Sequence, residues 1–207
     1  MTMEQRMDQL EKRNKRLTIA LTMMAMVAIT IQFSACEDDP AGPSTNCDVS
    51  DVGALAGRDL SGCDLGSTHL RDANLEGANL AGANLRGAIL ADANLRDANL
   101  DSADLSSANL ESAILAGANL RGAILADANL TDANLKRANL SYANLKGANL
   151  TWVVGYEQNL KGADLESAIL VDATLTAADL ESANLRGADL RGAYLGSADL
   201  RSADLED

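Results

Sequence analysis

Every fifth residue from position 55 to position 205 is leucine, with Gly155 the single exception. This spacing suits neither regular element as a straight rod. Five residues advance an α-helix by about 500°, a net rotation of about 140°, so the leucines would scatter over every face. On a straight strand an odd step flips each successive leucine to the opposite side. Burying all of them requires a chain that bends once per repeat and directs each leucine into a shared interior, which is a solenoid. Two residues before each leucine stands alanine, unbroken over positions 73–148 and 163–203. A slot that accepts only alanine is a crowded inward position. Asn or Asp usually lies between alanine and leucine and faces out, and the two remaining positions carry the Ser, Gly, Asp and charged residues of turns. The low complexity of the segment does not signal disorder, because disordered tracts lack regular apolar positions.

The units RDANL, EGANL, AGANL and RGAIL, read from Arg71 onward, are similar to the A(D/N)LXX motif of the pentapeptide-repeat family. The resemblance covers residues 53–207. It implies an all-β solenoid, a right-handed quadrilateral β-helix with one pentapeptide on each side and about eight coils, roughly 37 Å tall at strand spacing. With twenty residues per coil, Asn79, Asn99, Asn119, Asn139 and Asn159 stack, and an amide ladder is expected along them. Arg58 and Thr68 occupy alanine slots, which marks the first coil as an irregular cap. The repeat runs to the C-terminus without an aromatic plug. Some members of the family dimerise end to end there, so the resemblance leaves a homodimer through the C-terminal coil open.

The beat fails once, in TWVVGYEQNL at residues 151–160. Val153 and Gln158 replace alanines and Gly155 replaces a leucine, yet Leu160 resumes on time, so nothing is inserted. Gly155 leaves a hole that Trp152 or Val154 is expected to fill, with a bulge over about one side. In the four-sided arrangement Val154, Thr174 and Tyr194 share one face, with Trp152 and Tyr156 at its corners. These five residues are the candidate interaction patch, an apolar strip on an acidic body. The competing reading is one degenerate coil held in register by its neighbours.

Residues 1–36 read as an address. The basic cluster Lys12, Arg13, Lys15 and Arg16 precedes nineteen uncharged residues, then Cys36 and the acidic run 37–39. Positive residues ahead of an apolar segment hold that end in the cytoplasm. As a helix this segment would span about 28 Å, close to the hydrocarbon thickness. Phe33-Ser34-Ala35-Cys36 resembles a bacterial lipobox, which implies cleavage before Cys36 and lipid on its sulfur. The other reading is an uncleaved signal-anchor transmembrane helix. Both place residues 37–52, a flexible acidic linker, and the repeats at 53–207 outside the cytoplasmic membrane, in a bacterial cell envelope. That compartment permits disulfides. Cys47 and Cys63 are the candidate pair, with a small buried thiol the competing reading of Cys63.

Function classes narrow accordingly. Residues 1–35 carry five basic and three acidic side chains, and the rest twelve and twenty-seven, within a total of −13. Such a body repels phosphate backbones, so no nucleic-acid partner is expected. The only histidine, His69, has no nucleophile or base near it in the repeat, the glycines lie outside any phosphate-binding signature, and no CxxC spacing suggests zinc. No catalytic residue, cofactor or metal is expected. What remains is a non-enzymatic, membrane-tethered scaffold serving an unknown envelope protein or polymer. The resemblance adds an alternative, an acidic DNA mimic that inhibits or protects DNA gyrase.

Overall fold

The structure, a computed structural model, describes residues 47–206. Its repeat domain is a four-sided β-helix. Parallel backbone bridges join residues twenty apart, as in Asn79 to Asn99, Asn84 to Asp104, Ile89 to Asn109 and Asn94 to Ile114. Twenty residues thus make one turn of the helix, and each pentapeptide one side.

Local chemistry explains the bend. After each leucine the chain turns, and the N–H three residues on donates back to the leucine carbonyl, as from Ala138 to Leu135 at 3.0 Å. The second turn residue always has positive φ, for example 62° at Gly87 and 57° at Ser112. Such a turn is of type II, which favours glycine at that place. The residue between alanine and leucine supports it: the Oδ1 of Asn134 accepts from the N–H of Lys136, and that of Asn139 from Ser141, both at 3.2 Å. This Asx contact gives the repeat a chemical reason to prefer Asn or Asp.

The interior is a column of leucines flanked by alanines, with every leucine from position 55 to 185 at most 3% exposed. Coils are tied by backbone bonds in both directions, such as Leu120 to Asn139 at 2.7 Å and Asn119 to Ala98 at 2.9 Å. A side-chain ladder runs up one face from Asp59 through Asn79, Asn99 and Asn119 to Asn139, with steps of 2.9 to 3.2 Å. It stops short of Asn159, whose amide makes no such bond.

The two ends differ. Cys47 is bonded to Cys63, which fills an alanine slot at 1% exposure. A 3-10 helix at Val52–Ala54 follows, and Cys47, Val49 and Val52 pack against the first leucines. Among the described residues, packing against the core therefore reaches back to Cys47, within the expected linker. Arg58 leaves its alanine slot to donate to the Asp48 carbonyl, and Thr68 bonds the Leu65 carbonyl at 2.7 Å. At the other end Leu190, Leu195 and Leu200 are partly exposed, and Leu205 is 53% exposed. Among the described residues no helix is long and apolar enough to cross a membrane. The expected signal or anchor, with Cys36, lies outside them.

Candidate functional site

The interrupted repeat does not bulge. Val154–Tyr156 forms a short strand, β1, that pairs in parallel and in register with β2, Thr174–Thr176, placing Gly155 opposite Leu175. Below it, Asn134 bridges Val154. Neither Trp152 nor Val154 folds inward; they are 54% and 43% exposed. The hole is filled by Gln158. A Cβ built on Gly155 would lie 1.2 Å from its Nε2, so the amide occupies the space of the missing leucine. The expected bulge is corrected for a physical reason: two substitutions across one turn compensate in volume, small for large at 155 and large for small at 158. The exchange has a cost. Both amide atoms of Gln158 are buried without a partner. The turn also opens, since Gln158 alone among the alanine-slot residues from 58 to 203 does not bond the carbonyl three residues back.

With the core filled from behind, the outward residues are free to be large. Val154 and Tyr194 lie in one column with Thr174 between them, Tyr194 being 62% exposed. Trp152 stands at the corner before β1 and donates from Nε1 to Asp172 at 3.3 Å. Tyr156 closes β1, its ring 5.6 Å from the Lys136 ammonium and 5.4 Å from the Arg137 guanidinium. Arg137 also donates to Glu157 at 3.0 Å. That hydrogen bond is the largest cause raising the Arg137 pKa above its ordinary value, with Tyr156 and the Glu157 charge adding to it. All five residues of the expected patch therefore come together on one side.

Tyr142 belongs to the same coil and was not expected from the sequence. It is 61% exposed at a different corner, and its ring lies across Gly162, where a Cβ would meet it at 2.8 Å. A signal for it exists. The left-handed turn position elsewhere holds Gly, Ser, Asp or, at 177, Ala, residues small enough or polar enough for it. Between 137 and 157, Gly147 aside, it holds Arg137, Tyr142, Trp152 and Glu157, with φ from 55° to 59°. Placing bulky side chains there strains the backbone by about 1 kcal/mol each.

Asp179, Glu181 and Asp199 approach one another beside Lys161 and Arg201, which pair with Glu181 and Asp199 at 2.7 to 3.4 Å. His69 is exposed on the first coil.

Comparison with known proteins agrees with this architecture. The chain matches the family of pentapeptide repeats in eight copies, which together cover residues 59–151 and 159–207 and omit the interrupted turn. A pentapeptide repeat protein from the Arabidopsis thaliana thylakoid lumen is 36% identical over 49% of this chain and 71% of its own, with a TM-score of 0.48. HetL, a pentapeptide repeat protein involved in heterocyst differentiation regulation in the cyanobacterium Nostoc, is 36% identical over 74% of each chain, with a TM-score of 0.31. Full-length QnrB1, a plasmid-mediated fluoroquinolone resistance protein, is 22% identical over 74% of this chain and 80% of its own. Its TM-score of 0.67 shows a shared fold, the right-handed quadrilateral β-helix. No curated protein matches the chain.

Proposed function

The chain belongs to the pentapeptide-repeat family, and from that premise we propose that it is a non-enzymatic scaffold, held at a bacterial membrane by residues 1–36, whose repeat domain offers the strip of Trp152, Val154, Tyr156, Thr174 and Tyr194 to an envelope partner. One observation carries this reading. Large aromatic residues are exposed on an acidic solenoid at the coil where the core has been rearranged and left-handed corners hold bulky side chains. Strain held where the aromatic side chains stay exposed supports a surface used for contact. The tether rests on the sequence, in the order of basic cluster, uncharged segment, Cys36 and acidic linker over residues 37–52.

Site-specific photocrosslinking from position 174 in native cells tests the strip. A defined adduct that vanishes when Trp152→Ala and Tyr156→Ser are combined, with the melting temperature unchanged, supports it. An adduct of undiminished yield overturns it. The intact mass of protein from native membranes tests the tether: a chain beginning at acylated Cys36 or an intact membrane-bound residue 1 supports an anchor, and a soluble unmodified chain overturns it.

As a further partner we propose a second copy of the chain, on the family resemblance alone. A monomeric mass in light scattering would remove this contact. The gyrase-mimic reading gains no support from the surface. Arg71, Arg86, Arg121, Arg186, Arg191 and Arg201 each neutralise a carboxylate, which interrupts any phosphate-like row.

A further inference from the structure

Beside the apolar strip the surface changes sign. At the corner that follows the Val154 column, Arg96, Lys136, Arg137 and Tyr156 line a cavity of about 350 Å³ together with Asp97, Ala116, Gly117 and Asn134. The cavity has a plain cause in the sequence. Turn residues stack every twenty positions, and the small pair Ala116 and Gly117 lies between the long side chains at 96 and 136. The corner is therefore notched by one coil, about 4.8 Å. Asn134 lies directly below Val154, so notch and strip are continuous.

The charges in this notch are unlike those elsewhere. Among the described residues every other lysine and arginine, Arg58 aside, has a carboxylate within 3.7 Å. Arg96 and Lys136 have none, and both line this one cavity. Lys136 is instead held over the Tyr156 ring, which positions the ammonium without neutralising it. Asp97 leans across Gly117 and is the single carboxylate of the lining, outnumbered by three cations. Two cations without an ion-pair partner, sharing one concave site on a body this acidic, set the notch apart from the rest of the surface in a way that a general solubility role does not need.

We propose that this notch is an oxyanion site, taking a carboxylate or phosphate group of the ligand that the neighbouring strip contacts. The Arg96 guanidinium supplies a planar fork for two oxygens and the Lys136 ammonium a point charge. The Asn134 amide stands at the edge where the ligand passes to the apolar strip. The proposal rests on the strip reading only for what the rest of the ligand touches; anion capture is measurable without a partner.

The test is an NMR titration of the full-length protein in uncharged detergent micelles, at low salt, with inorganic phosphate and separately with citrate. Saturable shifts at the Arg96 side-chain N–H and the Lys136 ammonium are expected with at least one probe, and which probe acts identifies the group. Arg96→Gln and Lys136→Gln should each weaken binding about tenfold, the size of a lost charge-assisted hydrogen bond. Arg121→Gln, which removes an ion-paired arginine outside the notch, should leave it unchanged. Both variants change exposed or half-exposed side chains, so matched melting curves identify a folded protein. A response that never saturates with either probe overturns the proposal, as does unchanged affinity in the double variant. Loss of anion binding with the position-174 adduct preserved separates the two sites; loss of the adduct with anion binding preserved removes the strip alone.

Discussion

Residues 133–135 and 153–155 lie one above the other on the same side of the solenoid and solve one packing problem in two ways. In the lower segment Ala133 and Leu135 point inward and Asn134 braces the turn through its Oδ1. In the upper segment Val153 and Gly155 take those slots, Val154 cannot brace the turn, and the interior is completed by Gln158 from beyond the corner. The turn opens, yet the register is kept, since Gly155 still pairs with Leu175 and Leu160 is 2% exposed. Register is therefore a property of the stack. Neighbouring coils hold a segment in place when its own leucine is gone, as expected where stability is shared between adjacent repeats.

The upper solution can be imposed on the lower segment without its compensation. Leu135→Gly removes a side chain 1% exposed, and no residue across that turn is long enough to reach the void, because position 138 is alanine. The loss should be about 2–5 kcal/mol, the range for emptying a buried leucine site, read as a fall in the urea midpoint. A loss under about 1 kcal/mol would mean that the leucine column contributes far less than burial implies. A second, somewhat smaller effect probes whether the stack needs a fixed end. Replacing Cys47 and Cys63 by serine opens a loop with a sequence separation of 16. About 3 kcal/mol should be lost on the loop-closure account. Hydrogen exchange should place the loss at the amides nearest the 3-10 helix, and uniform loss along the rod would refute a local cap.

The converse change repairs the upper segment. Gly155→Leu with Gln158→Ala restores the repeat and removes two unpaired buried amide atoms. Gly155 lies outside the left-handed region, so leucine meets no backbone obstacle there once Gln158 is shortened. The double variant should gain about 1–3 kcal/mol, the penalty for an unsatisfied buried polar group. Each single variant should be destabilised, Gly155→Leu by collision with Gln158 and Gln158→Ala by an empty space. Additive single effects in a double-mutant cycle would show that the two positions do not act as a pair.

The legible and illegible parts of this molecule follow the same division. The leucine period could be read because period and burial are one constraint, and the alanine slot likewise announces its own crowding. The four sides could not be obtained from a period of five and came with the family resemblance; the twenty-residue bridges now show them. Gln158 was legible as an anomaly but not as a solution, since only the fold shows that position 158 reaches back across the turn to the site of residue 155. Tyr142 was missed because attention to faces overlooked the corners, where left-handed φ makes Tyr, Trp, Arg and Glu the unusual residues. Arg96 and Lys136 gave no local signal at all. Their distinction is relational: Glu76 one coil below Arg96 accepts from Asn94, and Glu157 one coil above Lys136 pairs with Arg137, so neither carboxylate closes on the notch.

The smallest effect separates the amide ladder from the rest of the side-chain chemistry on its face. Asn119 and Asn159 occupy equivalent places on that face, and each Oδ1 accepts the N–H two residues on, at 3.3 and 3.0 Å. Asn119 also donates to Asn99 and accepts from Asn139, whereas the ladder ends before Asn159. Asn119→Ala should therefore be more destabilising than Asn159→Ala by about 1 kcal/mol, the net value of an intramolecular hydrogen bond. Equal losses would mean that the Asx contact alone accounts for asparagine in the repeat, and that the ladder is a by-product of stacking. A clear difference would mean that the interrupted coil also breaks a continuous line of side-chain amide bonds on this face, leaving ion pairs and the Trp152 contact as the side-chain links across it.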